Sequence, residues 1–424
     1  MVLREYVECP LCGKLYQLKI QADQNVGIFE WPISFVCKDC GEIMNYTYSP
    51  QGLRPRGVGY HPSPTDEPIT TIGYSSSLPI VESMYMQDMD YQASIALFSP
   101  YISLQLGYFT LSEIHEFDLF LRTMQSDLLP YRTFISELLP VLLKGNVKAF
   151  GKKMNLLFKE KKYLRISTPL EMYDAFFEQL EKFYVLLSPN YYINTVSKSY
   201  FYPLLDIVDK ATNGETKSIK NKLDESGRIS EWYKDEALPY VAESLKNVQK
   251  IIPAMIYLSA GVSNTQQRGD LKILSISCDE ATAIYKEGYE TLIHGLKIIV
   301  GVNNIVENGN IDTFTNPKYA YVDSITKFAE LNGGKMIEQL EDYNSINAFL
   351  DSTINNKVRN AASHGKGGVK YDALTQKVKC YYDDKDQAKV YETTLIDICR
   401  LCHVQMLHII EAIVLAHRIV EKAK

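Results

Sequence analysis

A permanent cation and a histidine stand close together near the C-terminal end of the chain, in the hexapeptide Arg359-Asn360-Ala361-Ala362-Ser363-His364. Arginine stays charged at working pH and presents a fork of N–H donors that matches phosphate oxygens. Histidine titrates near neutrality and can take or give the proton of a ribose 2′-hydroxyl or of a leaving oxygen. The two residue types together are the minimum equipment for cutting a phosphodiester bond without a metal ion.

The segment that leads into this hexapeptide has the spacing of a helix. Apolar residues recur at steps of three and four, at Ile346, Phe349, Leu350, Ile354, Val358 and Ala361. Gly365 is a suitable C-cap. Asn360 and His364 are four residues apart, so the helix predicts that they share a face and that the amide orients the imidazole. A helix C-terminus also favours the cationic imidazolium.

The surrounding charge favours a polyanion. Between Asn355 and Cys380 there are six basic residues and one acid, Asp372, which gives a local charge of +5 in a chain whose net charge is −6. The basic residues are Lys357, Arg359, Lys366, Lys370, Lys377 and Lys379. Phosphate neutralisation dominates nucleic-acid affinity. An Arg and a His at this spacing also occur on solvated helix faces, so the pair alone does not establish a catalytic site.

The pattern Arg359-Asn360-x-x-x-His364 resembles the motif of HEPN domains (higher eukaryotes and prokaryotes nucleotide-binding), in which a polar residue follows the arginine. The context is similar to the HEPN domains of bacterial abortive-infection proteins. Cys278 to Val306 has the spacing of a long amphipathic helix, Val369 to Tyr382 alternates like a β-hairpin, and Val390 to Lys422 is largely apolar and predicts one closing helix. The resemblance covers roughly residues 275–424.

The resemblance implies a metal-independent endoribonuclease of a bacterial antiphage defence or toxin-like system. Arg359 and His364 would be the catalytic pair and Asn360 the supporting polar residue, with Lys366 as a flanking phosphate contact. Family members pair so that two Arg–His sets face each other, which implies RNA as substrate, a homodimer or higher homo-oligomer, and a protein or phage-derived trigger. Catalysis would need no cofactor.

Two other interpretations stay open from the sequence. The chain is compatible with a catalytically inactive HEPN module that binds RNA, a nucleotide or a protein partner. It is also compatible with a scaffold in which Arg359 and His364 are structural.

At the other end of the chain, four cysteines have the spacing of a metal site. Cys9-Pro-Leu-Cys12-Gly13 and Cys37-Lys-Asp-Cys40-Gly41 are two CxxCG motifs. Four thiolates on two tight turns give the closed tetrahedral site of structural zinc, one ion per chain. The segments Lys14–Ile20 and Gly27–Val36 alternate enough to be strands, so residues 1–48 predict a zinc ribbon.

The cysteines raise three further points. A disulfide pairing would need an oxidising compartment, and the first residues contain no apolar segment of a secretory signal. The ribbon is compatible with a sensing, dimerising or stapling role, because its lysines are balanced by acids. Cys399-Arg-Leu-Cys402-His403 spells the haem-attachment pattern, but its apolar helical setting predicts buried core cysteines instead.

The whole chain of 424 residues predicts a mainly α protein of several domains. Hydrophobic residues make up 46% and charged residues 23% of the chain, as in an ordinary globular protein. The sequence has no run of 18 apolar residues that would predict a membrane span. We therefore expect a cytoplasmic protein. The expected order is a zinc ribbon over 1–48, a linker or extended arm over 49–79, a helical middle domain over 80–270 and a HEPN-like helical bundle with a small β-hairpin insert over 271–424.

Helical spacing in the middle domain covers Ser230 to Tyr257 and, before it, five segments: Glu82–Leu97, Leu111–Met124, Tyr131–Lys144, Ala149–Phe158 and Leu170–Leu187. One stretch, from Lys144 to Arg165, has eight basic residues against a single acid, Glu160. Such a stretch is compatible with an RNA-contacting surface or with an ordinary solvated helix face.

Overall fold

A computed structural model describes residues 3–21, 30–49, 51–56, 62–63, 69–81, 87–89, 109–131, 133–225, 227–259, 271–315, 317–341, 346, 354–363, 368–383 and 389–424. The chain divides into two compact units, each made of three segments. We call Met1–Ser126, Asn247–Tyr285 and Lys357–His403 the sheet unit, and Asp127–Lys246, Lys286–Asn356 and Val404–Lys424 the helical unit.

All strands assigned within the described residues belong to the sheet unit. They are β1 Leu3–Glu8, β2 Leu15–Gln21, β3 Trp31–Val36, β4 Ile43–Ser49, β5 Gly52–Pro55, β6 Ile69–Ser75, β7 Ile80–Val81, β8 Gln87–Met89, β9 Leu271–Lys272, β10 Val369–Asp372, β11 Lys377–Tyr381 and β12 Val390–Thr394. They form a four-stranded sheet in the order β1-β2-β6-β8, two three-stranded sheets, β3-β4-β5 and β10-β11-β12, and the pair β7-β9.

The first two hairpins follow from the residue pattern. In β3 the side chains of Trp31, Ile33 and Phe35 are buried and alternate with half-buried neighbours, as expected for a strand with one face on the core. Strand β2 is buried along Tyr16–Ile20 because it lies between β1, antiparallel to it, and β6, parallel to it. The strand predicted over Lys14–Ile20 is present as β2, and the described part of the one predicted over Gly27–Val36 is present as β3, residues 27–29 lying outside the described residues.

The segment 49–79, interpreted from sequence as a linker or extended arm, contains paired strands in its described part. Strand β5 pairs with β4, and β6 pairs with β2 as an inner strand of the four-stranded sheet. The Pro and Gly residues that suggested a linker lie mostly outside β6, whose Thr- and Ile-rich sequence suits a strand. The helix predicted over 82–97 falls largely outside the described residues, and its described part, β8, is a strand.

The predicted hairpin near the C-terminus is present as β10 and β11, paired antiparallel from Val369↔Cys380 to Asp372↔Lys377. A third strand, β12, pairs with β11. The prediction of one continuous helix from Val390 to Lys422 is therefore wrong over its first five residues. Val390-Tyr391-Glu392-Thr393-Thr394 is rich in β-branched and aromatic side chains, and the neighbouring edge of β11 offers it hydrogen bonds.

Most of the structured chain is helical, as predicted. Within the described residues the helices are α1 Leu111–Asp127, α2 Phe134–Leu143, α3 Val147–Phe158, α4 Pro169–Leu187, α5 Phe201–Lys210, α6 Asn213–Asp224, α7 Leu238–Ile251, α8 Cys278–Asn308, α9 Ile325–Ala329, α10 Gly333–Gln339, α11 Asn356–Ser363 and α12 Leu395–Lys422. Short helical turns lie at Leu129–Tyr131, Lys161–Arg165, Asn190–Tyr192, Ile193–Ser197, Ile229–Trp232, Tyr233–Ala237, Ile252–Met255 and Ile256–Ser259.

Helix α4 shows how local sequence and packing agree in the helical unit. Thr168 accepts a hydrogen bond from the backbone N–H of Glu171, whose carboxylate returns the bond to the cap, and Pro169 occupies the first turn. Its buried face contributes Phe176, which stacks on Phe134 with ring centroids 4.8 Å apart. Clustered aromatic rings supply much of the apolar area that this core removes from water.

Helix α12 is long and apolar enough to cross a membrane by length and composition alone, with a mean hydropathy of 1.6 over its best window. In this protein 94% of that window is buried inside the fold, which is the environment of a core helix. The boundaries between the two units fall within α12 and within four other helices: α1, α7, α8 and α11.

Candidate functional sites

The two CxxCG motifs lie in the turns of two hairpins of the sheet unit. Cys9 and Cys12 follow β1, and Cys37 and Cys40 follow β3. The four sulfur atoms all lie within 4.8 Å of one another, with 3.5 Å between Cys9 and Cys40 and 3.5 Å between Cys12 and Cys37. The structure therefore brings together all four cysteines that the sequence predicted as ligands.

The two turns have the same backbone geometry. Gly13 N–H donates to the Cys9 carbonyl at 2.9 Å, and Gly41 N–H donates to the Cys37 carbonyl at 3.0 Å. Both glycines have positive φ angles, +75° and +79°, which a residue with a Cβ adopts only with strain. The glycine after each second cysteine thus lets each turn close and direct two thiols to the same point.

The geometry fits a tetrahedral metal ion. Four sulfurs at about 2.3 Å from one ion would be about 3.8 Å apart, close to the separations found here. Cys9 and Cys37 are buried, whereas Cys12 and Cys40 are exposed, so the ion would be anchored on the protein side and reachable from solvent on the other. The cluster can hold a metal ion.

Tyr16, in β2, supports the cluster from inside the core. Its hydroxyl donates to the Cys37 sulfur at 3.2 Å and accepts from the Lys38 backbone N–H at 2.7 Å. Burial alone would raise the pKa of Cys37, but the Tyr16 hydroxyl and the backbone N–H groups of Cys40 and Asp39 lower it to about 6. A hydrogen bond to a ligand sulfur orients that ligand and favours its thiolate form. Tyr16 was not among the residues predicted from the sequence.

The candidate catalytic segment begins on α11. Arg359 and Asn360 are half-buried, while their neighbours Val358 and Ala361 are buried in the sheet unit. Arg359 Nη1 donates to Asn360 Oδ1 at 3.0 Å, so the amide holds the guanidinium. The sequence predicted that Asn360 orients His364, but His364, Gly365 and Lys366 lie outside the described residues.

The basic residues around Arg359 in the sequence lie in two places. Lys370, Lys377 and Lys379 lie exposed on β10 and β11, whose alternate residues Val378 and Cys380 are buried, and Lys379 pairs with Glu392 at 3.1 Å. Lys357 lies over the rings of Tyr382 and Tyr391, 5.6 Å from each centroid. The local charge is thus displayed on a sheet face and on α11.

The haem-like motif is a core feature, as the sequence predicted. Cys399, Cys402 and His403 are all buried in α12. The Cys402 thiol donates to the Ala281 carbonyl at 3.4 Å, and burial raises its pKa well above the usual range. Buried neutral thiols of this kind pack as small apolar residues.

A second polar group, in the helical unit, was missed by the sequence analysis. His408 and Glu411 are completely buried and hydrogen-bonded to four hydroxyl groups, those of Tyr184, Tyr192, Ser197 and Tyr200. Glu411 is the sole acid between Arg400 and Arg418, and an isolated acid in an apolar helix was the signal that could have identified it. Both side chains are fully buried and hydrogen-bonded within the helical unit, which is the setting of a structural polar group.

Comparison with protein-family models, with curated proteins and with solved structures finds no match for the chain. The fold and the sites define a mostly helical protein with small N-terminal sheets, in which two hairpin turns bring four cysteines together to hold a metal ion.

Proposed function

We propose that the protein is a metal-independent endoribonuclease in which Arg359 and His364 act on the scissile phosphate and the metal at the cysteine cluster is structural zinc. The observation that carries the proposal is Arg359 itself: the residue is half-buried in the middle of α11, and its guanidinium donates to Asn360 at 3.0 Å. A positioned guanidinium is pre-arranged for phosphate oxygens.

The chemistry follows from the two residue types. His364 would take the proton of the ribose 2′-hydroxyl, and the 2′-oxygen would attack phosphorus as the bond to the 5′-oxygen breaks. An imidazolium, from the same His364 or from the second Arg–His pair of a dimer, would give a proton to the leaving 5′-oxygen. Arg359 would neutralise the charge on the non-bridging oxygens. The products are a 2′,3′-cyclic phosphate and a 5′-hydroxyl, and DNA, which lacks the nucleophile, would not be cut.

Zinc suits the cysteine cluster because four thiolates with closed geometry are the donor set of structural zinc sites. Cys9, Cys12, Cys37 and Cys40 would hold one ion per chain and staple the β1–β2 and β3–β4 hairpins. An ion held by all four thiolates would have no free coordination position, so it would take no part in RNA cleavage.

The biological setting is proposed from the motif resemblance. A cytoplasmic ribonuclease of this class would act in antiphage defence, as a homodimer or higher homo-oligomer, and would be held inactive until a protein or phage-derived trigger arrives. A catalytically inactive module that binds RNA, a nucleotide or a protein is the second candidate. The hydrogen bond between Arg359 and Asn360 supports this candidate equally, because a positioned guanidinium binds a phosphate whether or not the bond is then cut.

The test is cleavage of single-stranded and structured RNA in EDTA by wild type, Arg359→Ala, His364→Ala and a matched control, Arg122→Ala. Arg122 is a 69% exposed arginine on α1 of the same unit. We expect wild type and the control to leave cyclic phosphate ends. Both motif variants should lose at least about 100-fold in rate, the size expected for removing an acid–base group or a charge-stabilising donor.

Metal content is measured in the same samples, because a chelator that strips the cysteine cluster would lower activity through the fold. RNA bound but not cleaved by any variant would favour the binding module. Equal cleavage by wild type and His364→Ala would refute the proposed catalytic pair.

A further inference from the structure

The basic stretch from Lys144 to Arg165 forms α3 and the helical turn Lys161–Arg165 of the helical unit. One of its cations, Lys153, is half-buried and pairs with Glu137 at 3.3 Å, and another, Lys162, pairs with Glu160 and Glu178. The other six are exposed. We call these six the basic surface: Lys144, Lys148, Lys152, Lys159, Lys161 and Arg165.

Helix geometry puts two of these lysines on one side of α3. Lys148 and Lys152 fall within about 40° of each other around the axis and about 6 Å apart along it, and Lys159 follows directly after the last helical residue. The buried residues Phe150 and Met154 occupy the opposite side of α3. The helix therefore shows its cations to solvent and its apolar side to the core.

A tight turn returns the chain to the side of α3 and adds the remaining cations. Lys159 ends the helix in the left-handed conformation, with φ of +57°. Gly151 then allows a close approach, because a Cβ at that position would overlap the Tyr163 carbonyl oxygen. Tyr163 is buried, and Lys161 and Arg165, two residues before and after it, remain exposed.

The charge of this surface is not neutralised by the protein. Among the residues that the structure describes, none of the six cations makes an ion pair, and Glu160, the single acid of the segment, is engaged with Lys162 at 3.1 Å. A row of exposed cations of one sign attracts a polyanion and releases its counterions on binding.

We propose that the basic surface is a docking surface for the phosphate backbone of RNA. This inference rests on the proposed ribonuclease function and assigns the substrate a binding surface separate from Arg359. Among the aromatic residues of the segment, Phe150 and Tyr163 are buried and Phe158 is half-buried, so none presents a fully exposed ring on which a base could stack. The basic surface would therefore bind the RNA phosphate backbone without sequence specificity.

An anionic membrane is the competing partner, since Leu156 and Leu164 are 64% and 55% exposed beside the lysines. A membrane-binding helix inserts its apolar face into the interface. The apolar face of α3 is already buried in the unit, and the exposed leucines, with Leu143 at 46% as the third, lie singly on three different elements. The observations thus favour RNA.

The experiment measures binding of the full chain to a fluorescent 20-nucleotide 2′-O-methyl RNA, which lacks the free 2′-hydroxyl that cleavage requires. Lys148→Gln/Lys152→Gln/Lys159→Gln is compared with Lys198→Gln/Lys210→Gln/Lys246→Gln. The control removes the same charge from exposed lysines of the same unit, each of which bonds to a neighbouring Asn, Asp or Glu.

We expect the first variant to weaken binding at least tenfold near physiological salt, and to lower the slope of log K against log salt by about 2, from three single-strand phosphate contacts. The control should stay within twofold of wild type. Equal weakening of both variants, or no RNA binding by wild type, overturns the inference. Binding to phosphatidylserine vesicles in place of RNA also overturns it and identifies a membrane surface.

The two proposals fail separately. Loss of RNA binding in the α3 variant, with no cleavage of unmodified RNA by wild type, would support the docking surface and refute the proposed ribonuclease function. If the α3 variant cleaves RNA with the rate and Michaelis constant of wild type, the ribonuclease function is supported and the docking surface is refuted.

Discussion

His408 Nδ1 and Glu411 Oε2 lie 2.6 Å apart on successive turns of α12, and both side chains are completely buried. Burial lowers the pKa of His408 well below its usual value and raises the pKa of Glu411 well above its own. The folded pair therefore keeps one proton across the neutral range. The hydroxyl groups of Tyr184 and Tyr200 both donate to Glu411. Burial raises the pKa of Tyr184, so its hydroxyl keeps its proton while the pair titrates.

The pair predicts a specific dependence of stability on pH. In the unfolded chain the histidine loses its proton near pH 6.5 and the glutamic acid near pH 4.5. The depressed His408 pKa makes stability fall as pH drops below 6.5. The raised Glu411 pKa makes stability fall as pH rises above 4.5, until the folded pKa is reached. Between pH 4.5 and pH 6.5 the two opposite pH dependences cancel. Above pH 6.5 only that of Glu411 remains, and the free energy of unfolding falls by about 1.4 kcal/mol per pH unit.

Glu411→Gln should remove the contribution of Glu411 to the pH dependence of stability. The free energy of unfolding of the variant, relative to wild type, should rise by about 1.4 kcal/mol per pH unit between pH 5.5 and 7, measured by urea denaturation. Glu116→Gln, at an exposed position on α1, should run parallel to wild type. Parallel curves for Glu411→Gln as well would mean that Glu411 is ionised in the folded protein.

The cysteine cluster and the buried pair show what can be predicted from sequence. Each CxxCG motif is local, and its glycine and two cysteines determine the turn without reference to the rest of the chain. The Glu411 network joins residues up to 227 positions apart, Tyr184 among them, and depends on packing that no local pattern encodes. The strand at Val390–Thr394 was missed for a related reason, since its partner β11 decides its conformation.

Zinc content should depend on the cluster cysteines alone. Cys37→Ser should reduce the metal from about one zinc per chain to about none, because three thiolates no longer close the site. Its thermal midpoint should also fall, since the ion joins the β1–β2 and β3–β4 hairpins. Cys380→Ser, a buried cysteine outside the cluster, should keep its zinc. The measurement is elemental analysis of purified protein, and zinc retained in Cys37→Ser would exclude this cluster as the site.

Tyr16→Phe should weaken metal retention without removing a ligand. The substitution deletes the hydrogen bond to the Cys37 sulfur and leaves the Lys38 N–H without its acceptor. Loss of such a supporting partner lowers metal affinity by about 10–100-fold. The check is competition for zinc with a chromophoric chelator. Tyr6→Phe, which removes a hydroxyl bonded to Gln17 rather than to sulfur, is the matched control and should bind zinc like wild type.

Two glycines of the helical unit should respond to alanine in opposite directions. Gly295, in α8, lies against the Trp232 indole, and a Cβ there would overlap ring atoms. Trp232 has little freedom to move, because it is buried and its Nε1 donates to the Thr291 carbonyl at 3.1 Å. Gly295→Ala should therefore lower the free energy of unfolding by about 1–3 kcal/mol, the usual effect of overpacking.

Gly214, in the first turn of α6, is the matched position, since a Cβ there meets no atom within 4 Å. Gly214→Ala should raise the free energy of unfolding by about 0.4–1 kcal/mol, because alanine restricts the unfolded chain more than glycine does. Both variants are measured by denaturant titration at one pH. A Gly295→Ala protein as stable as wild type would show that Trp232 does not pack on α8 as described.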